Sequence, residues 1–116
     1  TTRQDPLIAA KRDALARVRD ERDAMLRDHQ SDLEARLADY EALTRQLTRA
    51  LEVALPLADQ KVSLLMSAYQ SGRSELGAVL AARRERIEER LRIDELQRQQ
   101  ALLAARLHYA YGEDAP

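Results

Sequence analysis

Gly72 constrains this chain more than any other residue. It lies in Tyr69-Gln70-Ser71-Gly72-Arg73-Ser74, a short interruption in a pattern that otherwise reads as helix nearly from end to end. Glycine inside a helix costs about 1 kcal/mol relative to Ala, so a lone glycine in a long helical pattern marks a place where the backbone turns or approaches something closely. If the chain reverses at Gly72, it folds as an antiparallel helical hairpin with an exposed tip. If it passes straight through, it is a plainer coiled coil.

The composition narrows the rest. The chain has 116 residues, 19 basic and 20 acidic, with a formal net charge of -1. It has no Trp, Phe or Cys, and besides two His its aromatic residues are Tyr40, Tyr69, Tyr109 and Tyr111. A round globular core draws on large aromatic fillers, whereas abundant Ala, Leu, Glu and Arg at helical spacing is the composition of long helices and coiled coils. The sequence therefore predicts an all-α chain that buries narrow seams. Balanced charge argues against a nucleic-acid partner, which demands a one-sided basic excess. The absence of cysteine rules out disulfides and thiolate metal sites. No apolar run approaches the ~20 residues that a membrane-spanning helix needs.

Along the chain, Asp5 is placed to cap a helix and Pro6 to occupy its first position. Apolar residues then recur in steps of three, four and seven: Leu7, Ile8, Leu15, Val18, Met25, Leu26, Leu33, Leu37, Tyr40, Leu43, Leu47, Leu51 and Leu55. The stripe is thin between Val18 and Leu33, where charged residues dominate, and this stretch reads as solvated or completed by a partner. Pro56 removes one i→i−4 hydrogen bond and crowds the preceding turn; with no loop-forming cluster around it, it predicts a kink or short break. At Gly72 the spacing suits a left-handed C′ residue ending the first arm, with Ser74 capping the next helix and Gly77 removing bulk where the arms approach. The second arm reads Leu76, Val79, Leu80, Ile87, Leu91, Ile93, Leu96, Leu102, Leu103 and Leu107, and Gly112 is expected to end it. The mixed run Arg83-Arg84-Glu85-Arg86-Ile87-Glu88-Glu89-Arg90 reads as a solvated face.

Length alone leaves two turning points open. Asp5 to Ser71 is about 67 residues, or ~100 Å of helix, and Ser74 to Tyr111 about 38 residues, or ~57 Å. A reversal at Gly72 leaves residues 7–30 unmatched, where the stripe is thinnest. A reversal at Pro56 matches the arms better but leaves Gly72 and Gly77 unexplained.

Several segments together resemble the C-terminal repeat of the TolC-like outer membrane factor family: Ala54-Leu55-Pro56-Leu57-Ala58, Ala68-Tyr69-Gln70-Ser71-Gly72-Arg73-Ser74-Glu75-Leu76, Val79-Leu80-Ala81-Ala82-Arg83-Arg84 and Ala104-Ala105-Arg106-Leu107-His108-Tyr109. The opening Arg3-Gln4-Asp5-Pro6-Leu7-Ile8-Ala9-Ala10-Lys11 is similar to the start of the same helix in heavy-metal efflux members. One departure is Ala81, where the family often carries an acidic residue. The resemblance implies a periplasmic α-hairpin fragment, with arm one over about 6–71 and arm two over about 74–111. It would come from a trimeric outer membrane efflux channel of a Gram-negative bacterium. Its partners would be a periplasmic adaptor (membrane fusion) protein and an inner-membrane pump, and Tyr69, Gly72, Arg73 and Ser74 would form the tip that docks the adaptor. Read from the residues alone, Tyr69 simply packs at the end of a seam and Arg73 is solvated. The alternative for the whole chain is a coiled-coil scaffold or adaptor with no channel role.

No Gly-rich phosphate loop, nucleophile elbow or pocket-forming carboxylate pair is present, so the sequence predicts no enzyme, no catalytic residue and no cofactor. His29 and His108 stand far apart without a ligand at i+4, and read as exposed helix histidines rather than metal ligands. The thin stripe over residues 7–30 further predicts that the isolated chain self-associates.

Overall fold

The computed structural model describes residues 4–114, the last four by backbone alone. Helix α1 runs Gln4–Arg49, a single π-helical turn follows at Ala50–Ala54, α2 runs Leu55–Gln70, and α3 runs Leu76–Asp114. No strand occurs among the described residues. The chain divides into two compact units, residues 1–36 and residues 37–116.

The second unit is an antiparallel helical hairpin that reverses at Gly72. Its direction follows from the cross-pairs: Thr44 meets Gln100, Asp59 meets Arg86 and Lys61 meets Glu85, so one number falls as the other rises. On α3 the buried and half-buried positions step by three and four without a break: Val79, Ala82, Arg86, Glu89, Ile93, Leu96, Gln100, Leu103, Leu107 and Ala110. This is an a/d heptad seam, the pattern that keeps one helix face on its neighbour. Ala50, Ile93 and Leu96 form a buried cluster with Leu43, Leu47 and Leu55 packed around it. Nearer the turn, Val62, Val79 and Ala82 are buried.

The facing arm carries the same repeat with one flaw. Tyr40, Leu43, Leu47 and Ala50 keep one phase, while Leu55, Ala58, Val62 and Leu65 keep another, displaced by a single residue. A regular helix would swing the seam by about 100° across that extra residue. The π turn absorbs it instead, with the Leu55 N–H donating to the Ala50 carbonyl in the wider i→i−5 geometry. Pro56 sits in the first turn of α2. In an unbroken α-helix its ring would press on the carbonyl of Glu52, and Glu52 lies within the widened turn. The interruption at Pro56 is thus a π turn, and the helix neither ends nor opens into a loop there.

Several local expectations need correction. Helix α1 already includes Gln4, so Asp5 lies in its first turn instead of capping it. Helix α3 begins at Leu76 and continues through Gly112 to Asp114; Gly112 does not stop it, because a lone glycine costs about 1 kcal/mol and is tolerated within a long helix. Gly77 makes no close approach: a β-carbon there would meet nothing within 4 Å. The charged run on α3 is not wholly solvated. Arg86 and Glu89 fall on seam positions and are half-buried, with Arg86 3.8 Å from Asp59 and Glu89 3.5 Å from Arg92. Conversely, Leu76, Leu80, Ile87, Leu91 and Leu102 are exposed, because α3 carries a second apolar stripe turned away from the seam.

The first unit is the helical stretch of residues 4–36. Within it Leu7, Ile8, Leu15, Val18, Met25 and Leu26 are all exposed, and only Ala24 and Leu33 reach intermediate burial.

Candidate partner-contact site at the hairpin turn

The turn is built by the end of α2. Gly72 has φ +75°, a left-handed conformation in which a β-carbon would crowd the following carbonyl. The Arg73 N–H donates to the Ala68 carbonyl at 2.7 Å, and the Gly72 N–H to the Tyr69 carbonyl at 3.0 Å. This pair of bonds, with glycine at C′, is the Schellman closure, which satisfies carbonyls that the helix end would otherwise leave open. The Ser71 hydroxyl adds a bond to the Ala68 carbonyl at 3.1 Å. No atom lies within 4 Å of an added β-carbon at Gly72, so the need for glycine is conformational and not a matter of space.

Ser74 departs from its expected role. Its hydroxyl donates to the Glu75 carbonyl at 3.4 Å, and the first bond of α3 runs from the Ala78 N–H to the Glu75 carbonyl. Glu75 therefore occupies the cap position, because two residues beyond the Schellman pair are needed to carry the chain to the second arm.

Tyr69, Gly72 and Arg73 are exposed and Ser74 is half-buried. Tyr69 is 43 % exposed. An aromatic ring and a planar guanidinium beside a rigid backbone closure supply the residue types that dominate protein contacts. Among the described residues no group of three or more His, Asp or Glu stands where it could hold a metal ion. His108 meets Tyr109 edge-on, with ring centroids 6.3 Å apart.

Below the turn the seam carries polar layers that the sequence pattern did not expose. Gln100 donates to the Thr44 hydroxyl at 2.9 Å, and Lys61 meets Glu85 at 2.9 Å across an exposed edge. One carboxylate oxygen each of Asp59 and Glu89 is buried without a hydrogen-bond partner, which ties those residues to the nearby guanidiniums of Arg86 and Arg92. Polar groups within an apolar seam penalise shifted pairings, since a slip would leave them unpaired. Of these, Gln100 with Thr44 and Arg86 with Asp59 join part-buried groups across the two arms, so a slip would separate them; Glu89 and Arg92 lie within α3. On the outer surface of α3, Arg98 grips Glu95 with two bonds of 3.0 and 2.7 Å. That guanidinium, and then the Gln99 amide, lower the Glu95 carboxyl to about 2.

No family model, no curated protein and no solved structure matches this chain. Among the described residues, no helix is long and apolar enough to cross a membrane.

Proposed function

We propose that this chain is a non-catalytic assembly element: an α-hairpin arm that packs beside further helices and presents its turn to a protein partner. In its specific form, it is the periplasmic arm of a TolC-like outer membrane efflux channel. There the arms, three subunits to a channel, line a conduit, and Tyr69, Gly72, Arg73 and Ser74 dock the periplasmic adaptor that links the channel to an inner-membrane pump. The observation that carries this reading is the Schellman-closed turn, which holds an exposed Tyr69 and Arg73 at the end of the hairpin. It is supported by the apolar side chains that each arm turns outward, Leu57 and Leu64 on α2 and Leu76, Leu80, Ile87 and Leu91 on α3. Exposed stripes of this kind mark helix surfaces that further helices cover.

The test is substitution in the full-length protein. Tyr69→Ala combined with Arg73→Glu removes the ring and reverses the charge without touching the Schellman bonds. Loss of drug or metal resistance, with the protein still present at normal level in the outer membrane, is the expected result. Full resistance in that variant contradicts the docking role.

A further inference from the structure

The helix of residues 4–36 is more sharply sorted than its composition suggests. At about 100° per residue, Leu7, Ile8, Leu15, Val18, Met25 and Leu26 share one arc of about 100°. Lys11, Arg22 and Arg36 lie within that same arc, and Arg12 and Arg19 flank one edge of it. Every carboxylate of the segment, from Asp5 and Asp13 to Asp32 and Glu34, falls in the remaining arc, together with Arg17 and Arg27. One face is apolar and basic, and the other is acidic. Lys11, Arg22 and Arg36 sit within the leucine stripe itself and not along its borders.

From this arrangement we propose that residues 4–36 dock a helix of another polypeptide whose seam alternates leucine-type residues with Asp or Glu. The inference is independent of the channel reading. The face is apolar and exposed: Leu7, Val18 and Met25 are 56 %, 60 % and 71 % exposed, and an isolated helix without tertiary packing is marginal in water. Cations inside the stripe must find anions when water is excluded, so the covering helix supplies carboxylates at seam positions. A second copy meeting this face with its own would set Arg against Arg, which disfavours the self-association that the stripe alone predicts. A lipid surface is disfavoured too: an interfacial helix keeps its cations on the polar face and immerses the centre of the apolar one, and here the centre carries Lys11 and Arg22.

The test uses the full chain and two synthetic amphipathic helical peptides of about four heptads. One alternates Leu and Glu along its seam; its copy carries Lys at every Glu. Fluorescence anisotropy is expected to show the Glu peptide binding at least about tenfold tighter than the Lys peptide, with the difference shrinking as salt rises. The triple variant Lys11→Glu, Arg22→Glu, Arg36→Glu should invert that preference. Its side chains are exposed, so circular dichroism should match the parent and separate lost binding from lost structure. Equal binding of both peptides, or binding of neither, overturns the proposal. Preferential uptake by phosphatidylglycerol-containing vesicles, with no discrimination between the peptides, also overturns it and identifies a lipid surface. Self-association of the chain through this face, measured by sedimentation and abolished in the triple variant, overturns it in favour of a second copy.

Discussion

Residues 4–36 and residues 37–114 are written in the same vocabulary of Leu, Ala, Arg and Asp or Glu, and both fold as helix. Only the second unit closes a core. On α3 the repeat places Val79, Ala82, Ile93, Leu96 and Leu107 where they are buried, and the charged residues that fall in register, Arg86 and Glu89, meet counter-charges. In the first unit the apolar positions are sparser and, Ala24 and Leu33 apart, stay exposed, and Lys11 and Arg22 among them have no acidic residue one turn away on either side. Periodicity makes a helix; a facing helix in register is what turns periodicity into burial.

The largest effects should separate the two units. Ile93→Ala removes a side chain that is 5 % exposed and should cost about 2–5 kcal/mol by chemical denaturation. Leu15→Ala, at a residue 51 % exposed on the first unit, should stay within about 0.5 kcal/mol. Comparable losses at both sites would erase the distinction between the units.

The glycines sharpen the comparison by sign. Gly72→Ala must place a β-carbon at φ +75° and should destabilise by about 1–2 kcal/mol. Gly77→Ala lies on α3 with open space around it and should stabilise by up to about 1 kcal/mol. A loss at Gly77 would mean that a neighbour fills that space in solution. Pro56→Ala should change stability by less than about 1 kcal/mol, against the ~3 kcal/mol expected of a proline forced into a regular helix. The reason is that the one-residue phase shift, and not the proline, requires the π turn. Breaking the exposed Lys61–Glu85 pair with Lys61→Ala should cost less than about 1 kcal/mol.

The smallest effect is a pH dependence. The folded value of Glu95 lies below its ordinary one, so its contribution is present above about 4.5 and is lost as pH falls toward about 2. Glu95→Gln should lower stability slightly at neutral pH and flatten the acid limb of the stability curve within that window. An unchanged acid limb would show that the Arg98 contact does not persist in solution.

Much of this architecture was legible in the residues. Ser71-Gly72 announced a helix end with a left-handed closure because glycine alone meets that conformation cheaply. The seam of α3 was only half legible. Leu80, Ile87 and Leu91 are as apolar as Ile93 and Leu96, and hydrophobicity does not say which of two stripes meets the other arm. Burial of Ala50 and Ala82 was invisible because small residues give weak signals, although they stand in register with Leu47 and Val79. The π turn was hidden behind Pro56, a ready explanation for any irregularity; the displaced spacing of Leu47 and Leu55 was the better clue. At the turn, Arg73 was identifiable as exposed, while Tyr69, expected to pack at the end of the seam, is 43 % exposed, and the cap at Glu75 instead of Ser74 depended on how many residues the reversal takes.

Amide hydrogen exchange of the full chain at low micromolar concentration tests the contrast between the units most directly. Protection scales with the free energy of local opening, so amides of residues 79–107 and 43–66 should exchange at least about 100-fold more slowly than those of residues 8–32. Equal protection across both stretches would contradict the account, because it would mean that the first unit is already covered and has no face left to offer a partner.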